Sequence, residues 1–270
     1  MEIFGILPVL LVLGVFLLLI VMTFVSVIDD VWILIFKKPL YIHFYIKLKK
    51  IPAQQESILR DKFEYYKNLA PKEKRYFQHR LASFTTQYDF IPRNDFEVTN
   101  EVQTLIAATY VMLTFGMRRY LIDAFDKIII YPDVYYSTLN EEYHKGEYNP
   151  HMKAVVFSWN DFRIGYDITN DNLNLGIHEF THAVLYHSLR SSDASSLNFK
   201  MHYEQLVKEV NYHPNRQRLI DSNYFRIYAY TNAYEFISVV VEHYFETPDL
   251  FQNEFPQLYR NVSLMLNHKQ

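Results

Sequence analysis

The chain contains no cysteine, which removes disulfide bridges and thiolate metal sites from consideration without fixing a compartment. Only six of its 270 residues are glycine, too few for Gly-rich loops that cradle phosphates or for a dinucleotide-binding design. Charge of one sign is scarce too: the net charge of -3 supplies no positive footprint, so nucleic acid is set aside as a partner. No internal repeat or low-complexity tract occurs in the sequence. What the chain has in quantity is apolar and aromatic surface, with half of its residues hydrophobic, 23 Tyr and 21 Phe. That is enough for a sizeable core in one domain plus an appendage.

The appendage is at the N-terminus. Ile3 to Ile28 is apolar except for Gly5, Pro8, Gly14, Thr23 and Ser26. As a helix it would be about 39 Å long, against a hydrocarbon core of roughly 30 Å, and it is read as a membrane span. It lacks a basic n-region and is long for a signal-peptide h-region, so a retained anchor is expected. Lys37, Lys38, Lys47, Lys49 and Lys50 follow it, whereas only Met1 and Glu2 precede it. The positive-inside bias then gives a single pass in the inner (cytoplasmic) membrane with the C-terminal part in the cytoplasm. Val31 to Phe36 and Leu40 to Ile46 would either lie on the anionic inner leaflet or form a helix packed on the domain.

The centre of the chain, Asn172 to Ser188, holds His178, Glu179, Phe180, Thr181 and His182 in the pattern H-E-x-x-H. On a helix, positions four apart are stacked one turn above the other, so both imidazoles can converge on one ion. Zinc suits them, because neutral imidazoles bind it at about 2.0–2.1 Å and a three-ligand site leaves a fourth position for water. Glu179 would take that water's proton as general base. Leu173, Leu175, Ile177, Phe180, Ala183, Val184 and Leu185 make the helix apolar on most sides and therefore buried.

Around the motif, Ser57 to Phe84 has helical spacing with Phe63, Tyr66, Phe77, Leu81 and Phe84 inward, and Pro71 opens a second helix after a break. Val102 to Thr114 is apolar nearly all round and reads as a central helix. Lys127 to Tyr131 and Ala154 to Trp159 read as strands, with residues 135–152 as polar loop between them. Ala154 to Trp159 is expected at the rim of the cleft, where H-E-x-x-H peptidases commonly pair a strand with extended substrate; an ordinary sheet strand is compatible too. Residues 189–199 read as loop. Phe199 to Ile220 reads as an outer charged helix carrying His202 and His213 as surface or half-buried histidines, and Leu258 to Leu266 as a final helix.

A third metal ligand must come from elsewhere. Tyr224 to Leu250 offers Glu235 and Glu242 in an apolar run, where each buried carboxylate needs a cation or donor. On a helix capped by Thr231 or Asn232 the two would face the same way; on a strand they would face oppositely, and both readings stay open.

The segments HEFTH, VVFSWND, IIIYPDVYY, QTLIAATY and TNAYEFISVVVEHYFETPDLF resemble the MtfA (Mlc titration factor A) family of zinc-dependent peptidases, itself similar to the metalloprotease domain of anthrax lethal factor. The resemblance spans roughly Phe63 to Tyr259. It implies His178, His182 and Glu235 as zinc ligands and Tyr228, seven residues earlier, as hydrogen-bond donor to the oxyanion. Glu242 is implied as the acceptor that orients a ligand imidazole. It also implies aminopeptidase-like activity on peptides and, as the alternative class, a zinc-containing protein that binds a transcriptional repressor. Two features depart from the family: Ala183, Val184 and Leu185 stand where members carry an aspartate, and the membrane span is extra. The expected whole is an α+β, mainly helical, zincin-like metallopeptidase domain with a small sheet (residues 56–270), a basic and aromatic juxtamembrane segment (31–55) and a transmembrane anchor (1–30). It would cleave peptide or protein substrates. A protease cutting within the bilayer is set aside, because the motif lies far from the single span.

Overall fold

Helices form wherever the apolar spacing is close to 3.6 residues, and they outnumber strands in a computed structural model of the chain. The structure describes residues 3–36, 38–137, 141–168 and 170–268, with side chains from residue 8. Met1, Glu2 and Lys37 of the charge asymmetry, and Thr138 to Asn140 of the expected loop, lie outside these residues.

The first helix, α1 (Ile3–Phe36), runs further than the apolar stretch alone suggests. Residues Pro8–Phe36 are long and apolar enough to cross a membrane, with a window of mean hydropathy 3.0 and none of that window buried. Val31 to Phe36, expected to lie on a leaflet or as a separate packed helix, simply continue α1. The lower end of α1 is fixed to the rest: Asp29 is buried, pairs with Arg118 and accepts from the Leu40 amide at 3.0 Å. Leu40 to Ile46 is not helical. Its aromatics reach the domain, His43 stacking on Tyr76 with ring centres 4.6 Å apart and the Tyr45 hydroxyl accepting from the buried Arg80 at 2.7 Å.

Two short helices, α2 (Ala53–Lys62) and α3 (Glu64–Asn68), precede α4 (Pro71–Gln87), which Pro71 opens as expected. Phe63, Tyr66, Phe77, Leu81 and Phe84 all enter the core. α5 (Asn100–Leu113) is buried at eleven successive or near-successive positions from Val102 onward, which is what an all-apolar helix requires. The sheet is small and mixed. Strands β1 (Asp89–Pro92), β2 (Lys127–Tyr131) and β6 (Ala154–Ser158) are parallel, and β5 (Gly146–Asn149) adds antiparallel to β6, in the order β1-β2-β6-β5. A hairpin of β3 (Tyr135–Ser137) and β4 (Glu142–His144) stands apart.

Two sequence expectations change here. Residues 135–152 are not a loop: they hold β3, β4 and β5, whose polar composition hides them because they border solvent on one face. Ala154 to Ser158 is an interior strand, buried at every position and paired on both sides, so the edge on its side of the sheet is β5 instead. Trp159 leaves the strand and begins α6 (Trp159–Asp167), capped by Ser158.

The motif helix α7 (Leu175–Ser188) packs against α5, α8 (Ala194–Asn211) and α10 (Ala233–Glu246). α9 (His213–Asp221), α11 (Pro248–Glu254) and α12 (Pro256–Leu266) complete the chain. α8 begins five residues earlier than expected because Asp193 caps it, accepting from the amides of Ser195 and Ser196 at 2.9 and 3.2 Å. His202 is therefore buried rather than superficial, while His213 is exposed.

Burial opposes ionisation of Asp193, but His187 beside it at 3.6 Å and hydrogen bonds from Ser196 and Ser191 hold its carboxyl well below the usual carboxylate range. A depressed acid stabilises the fold above its unfolded pKa of about 3.9 and loses that contribution as pH falls further. Asp193→Ala is expected to lower stability by roughly 1–2 kcal/mol at pH 7 in denaturant titration, with the difference shrinking below about pH 4.

Candidate metal centre

Asn174 caps α7, its side chain accepting from the Ile177 amide at 3.0 Å. The cap fixes the first turn, so His178 and His182 follow on one face. Asn232 caps α10 in the same way, through the amides of Tyr234 and Glu235. That segment is a helix, and Glu235 and Glu242 face the same way, toward α7.

The contact between α7 and α10 brings three donor groups together. His178 Nε2 lies 3.1 Å from His182 Nε2 and 3.0 Å from Glu235 Oε2, and His182 Nε2 lies 3.5 Å from Glu235 Oε1. Donors bound to one tetrahedral ion at about 2.0–2.1 Å are themselves about 3.3 Å apart. The three observed separations straddle that value.

The protonation pattern points the same way. His178 Nδ1 is 2.6 Å from Glu242 Oε1. His182 Nδ1 is 3.3 Å from Ser238 Oγ, which itself donates to the His178 carbonyl. In the tautomers in which each Nδ1 donates outward, both Nε2 lone pairs would face one small space, the disposition that a bound cation requires. The charge balance calls for one as well. Glu179, Glu235 and Glu242 converge, and among the described residues the one permanent cation hydrogen-bonded to them is Arg226, whose Nη2 and Nη1 donate to Glu242 at 2.7 and 2.9 Å.

Burial would lower the pKa of His178, but its hydrogen bonds to Glu235 and Glu242 raise it to about 10. Burial likewise opposes ionisation of Glu235, yet the two histidines hold its carboxyl well below the usual range. The field in this pocket therefore favours positive charge. His178, His182 and Glu235 form a group that could hold a metal ion.

Glu179, next to the trio but not in it, is buried and accepts from the Tyr148 amide of β5 at 2.9 Å. Burial raises its pKa, against the lowering pull of His178, His182 and that amide. Gly146 makes room for it: a Cβ there would stand 2.7 Å from Leu175 Cδ1 and 3.0 Å from Glu179 Cγ. Tyr228 sits on a 3-10 turn (Ile227–Tyr230), half exposed, its ring centre 6.2 Å from that of His178. Burial and the Glu235 carboxylate push its hydroxyl above the ordinary phenol range.

Arg226, Ser238 and Gly146 were not singled out from sequence. Arg226 was within reach, because a buried Glu242 demands a cation and Arg226 is the sole Lys or Arg between Leu219 and Tyr259. Ser238 and Gly146 carry no such mark. Ala183, Val184 and Leu185, which follow the motif, are packed in the core.

Residues 41–266 match the family model described as glucose-regulated metallo-peptidase M90. An uncharacterized protein of Synechocystis sp. is 26% identical, over 78% of this chain and 82% of its own length. Mlc titration factor A of Serratia proteamaculans is 22% identical, over 72% of this chain and 81% of its own. The protein of that name from Yersinia pestis is also 22% identical, over 68% and 75%.

Proposed function

Since this chain belongs to the glucose-regulated metallo-peptidase M90 family, we propose that it is a zinc-dependent peptidase held in the inner membrane by α1, with its catalytic domain in the cytoplasm. The observation that carries the reading is the trio of separations between His178, His182 and Glu235, all close to the edge of a zinc tetrahedron. When bound there, zinc supplies Lewis-acid polarisation of the scissile carbonyl and lowers the pKa of a water toward neutrality.

The chain's own groups do the rest. Glu179, its proton affinity raised by burial, removes a proton from the attacking water and passes it to the leaving amine. Tyr228, kept protonated at neutral pH, donates a hydrogen bond to the oxygen on which negative charge develops. Glu242 and Ser238 orient the two imidazoles, and Arg226 holds Glu242. β5 runs beside Glu179, and among the described residues no strand pairs with its outer edge, so an extended peptide can add there as a further strand. The relatives named Mlc titration factor A bring a protein-binding alternative, but a buried general base beside the ligand trio has no use in a purely structural metal site.

The full-length protein, purified in detergent without added metal, is expected to contain about one equivalent of zinc and to cleave members of a peptide library. A chelator should abolish cleavage and zinc should restore it. Absence of bound metal, or cleavage indifferent to chelation, would overturn the reading.

Gly146→Ala offers a finer check. Its Cβ must displace Leu175 or Glu179, so kcat should fall by about tenfold or more while zinc content stays unchanged.

A further inference from the structure

Residues 40–50, which follow α1, present two faces. One is fastened to the domain: His43 stacks on Tyr76, Tyr45 accepts from Arg80, and the Lys49 amide donates to His79 Nδ1 at 2.9 Å. The other carries Phe44 and Ile46, which are 76% and 97% exposed. A segment pinned at 43, 45 and 49 that still leaves two large apolar side chains bare is an interaction surface.

Charge and position identify what covers it. Residues 31–55 contain five lysines and neither Asp nor Glu, and Lys38, Lys47, Lys49 and Lys50 are exposed. The field behind the segment is positive too. Burial, with Arg80 and Lys72, pushes the His43 pKa down to about 3, and burial, with Lys49 and Arg80, lowers that of His79. Position follows from Asp29, the first charged residue after the apolar run of α1; the exposed Asp30 follows it. Leu40 returns to the level of Asp29, because its amide donates to Asp29 Oδ1 at 3.0 Å. Tyr41 lies there as well, its ring centre 4.6 Å from the guanidinium of Arg118, which pairs with Asp29. Tyrosine is a residue of membrane–water interfaces.

On the reading that α1 crosses the bilayer, we propose that Phe44 and Ile46 enter the headgroup region of the same membrane while Lys47, Lys49 and Lys50 bind its anionic lipids. The domain then meets the bilayer at two points. Asp29–Arg118 ties one of them to the domain and Arg80–Tyr45 ties the other, so the pair fixes an orientation that a lone helix would leave free.

The chain has no cysteine, so a single Cys substitution can carry a nitroxide at a chosen position. The test uses the full-length protein in nanodiscs containing phosphatidylglycerol, with relaxation of the label by oxygen and by a water-soluble nickel chelate. Labels on Phe44→Cys and Ile46→Cys should respond to oxygen and be shielded from nickel, the reverse of a label on His213→Cys. Replacing phosphatidylglycerol by phosphatidylcholine, or adding Lys47→Glu with Lys50→Glu, should lower the bound-to-free ratio of the Ile46 label by about fivefold or more. Nickel access at 44 and 46 equal to that at 213 overturns the contact. Shielding from both reagents means that protein covers the surface and overturns it too, as does protection indifferent to anionic lipid. A label on Leu18→Cys, midway along the apolar run, reports on α1 separately: nickel access there removes the span itself, whereas lipid exposure at 18 with water at 44 and 46 removes the second contact alone.

Discussion

Glu179→Gln is expected to lower the rate of peptide hydrolysis by about 10²–10⁴ while leaving zinc at one equivalent. The substitution keeps the shape of the side chain, and an amide oxygen can still accept from the Tyr148 N–H that now holds Glu179 Oε2 at 2.9 Å. None of the three metal donors is altered. What disappears is a basic site for the water's proton, corresponding to roughly 3–5 kcal/mol of barrier. Because the base must be ionised to act, wild-type activity should fall as pH drops through the pKa of Glu179. Burial raises that pKa, so the acid limb should lie above the ordinary carboxylate value of about 4.3. Residual activity of the variant should lack that limb. Wild-type rates in Glu179→Gln would transfer the chemistry to another group and sink the proposed role.

The parts of this protein that could be read from sequence are those specified by local spacing. His178 and His182 are four apart on a helix whose apolar positions demand burial, so both the element and its convergent face follow from a few adjacent residues. The same holds for α5 and for the apolar strands β2 and β6. Glu235 and Glu242 were harder, since the β-branched run around them allowed strand or helix; only the resemblance favoured Glu235. The helical backbone turns both carboxylates toward α7. β5 was missed because Gly146 to Asn149 has little apolar character, and an edge strand is defined by the neighbour it pairs with. The early start of α8 was missed because its serine-rich first turn resembles a loop, although Asp193 placed before it is a cap. Ser238 and Gly146 matter only through contacts with residues distant in the chain, which no local pattern encodes.

Glu242→Ala should be the most damaging single change to stability around the site. Glu242 is wholly buried and gathers four donors: His178 Nδ1 and Arg226 Nη2 on Oε1, and Arg226 Nη1 and the Asn174 amide on Oε2. Truncation leaves the guanidinium without its counter-charge and the α7 cap without one of its acceptors. The expected cost is about 3–5 kcal/mol, read as a fall in Tm of roughly 6–15 °C. Zinc affinity should drop about 10–100-fold as well, because His178 loses the partner that fixes its tautomer and orientation. The two effects have separate causes and can be separated. Glu242→Leu combined with Arg226→Met leaves no buried charge unpaired, so it should recover much of the lost stability while zinc binding stays weak. Measured in the presence of chelator, the stability difference between wild type and Glu242→Ala should persist. If it vanished there, Glu242 would act on the fold only through the metal, and the Arg226–Glu242 pair would not be the structural joint between α10 and the segments leading into α7 and the 3-10 turn that its hydrogen bonds indicate.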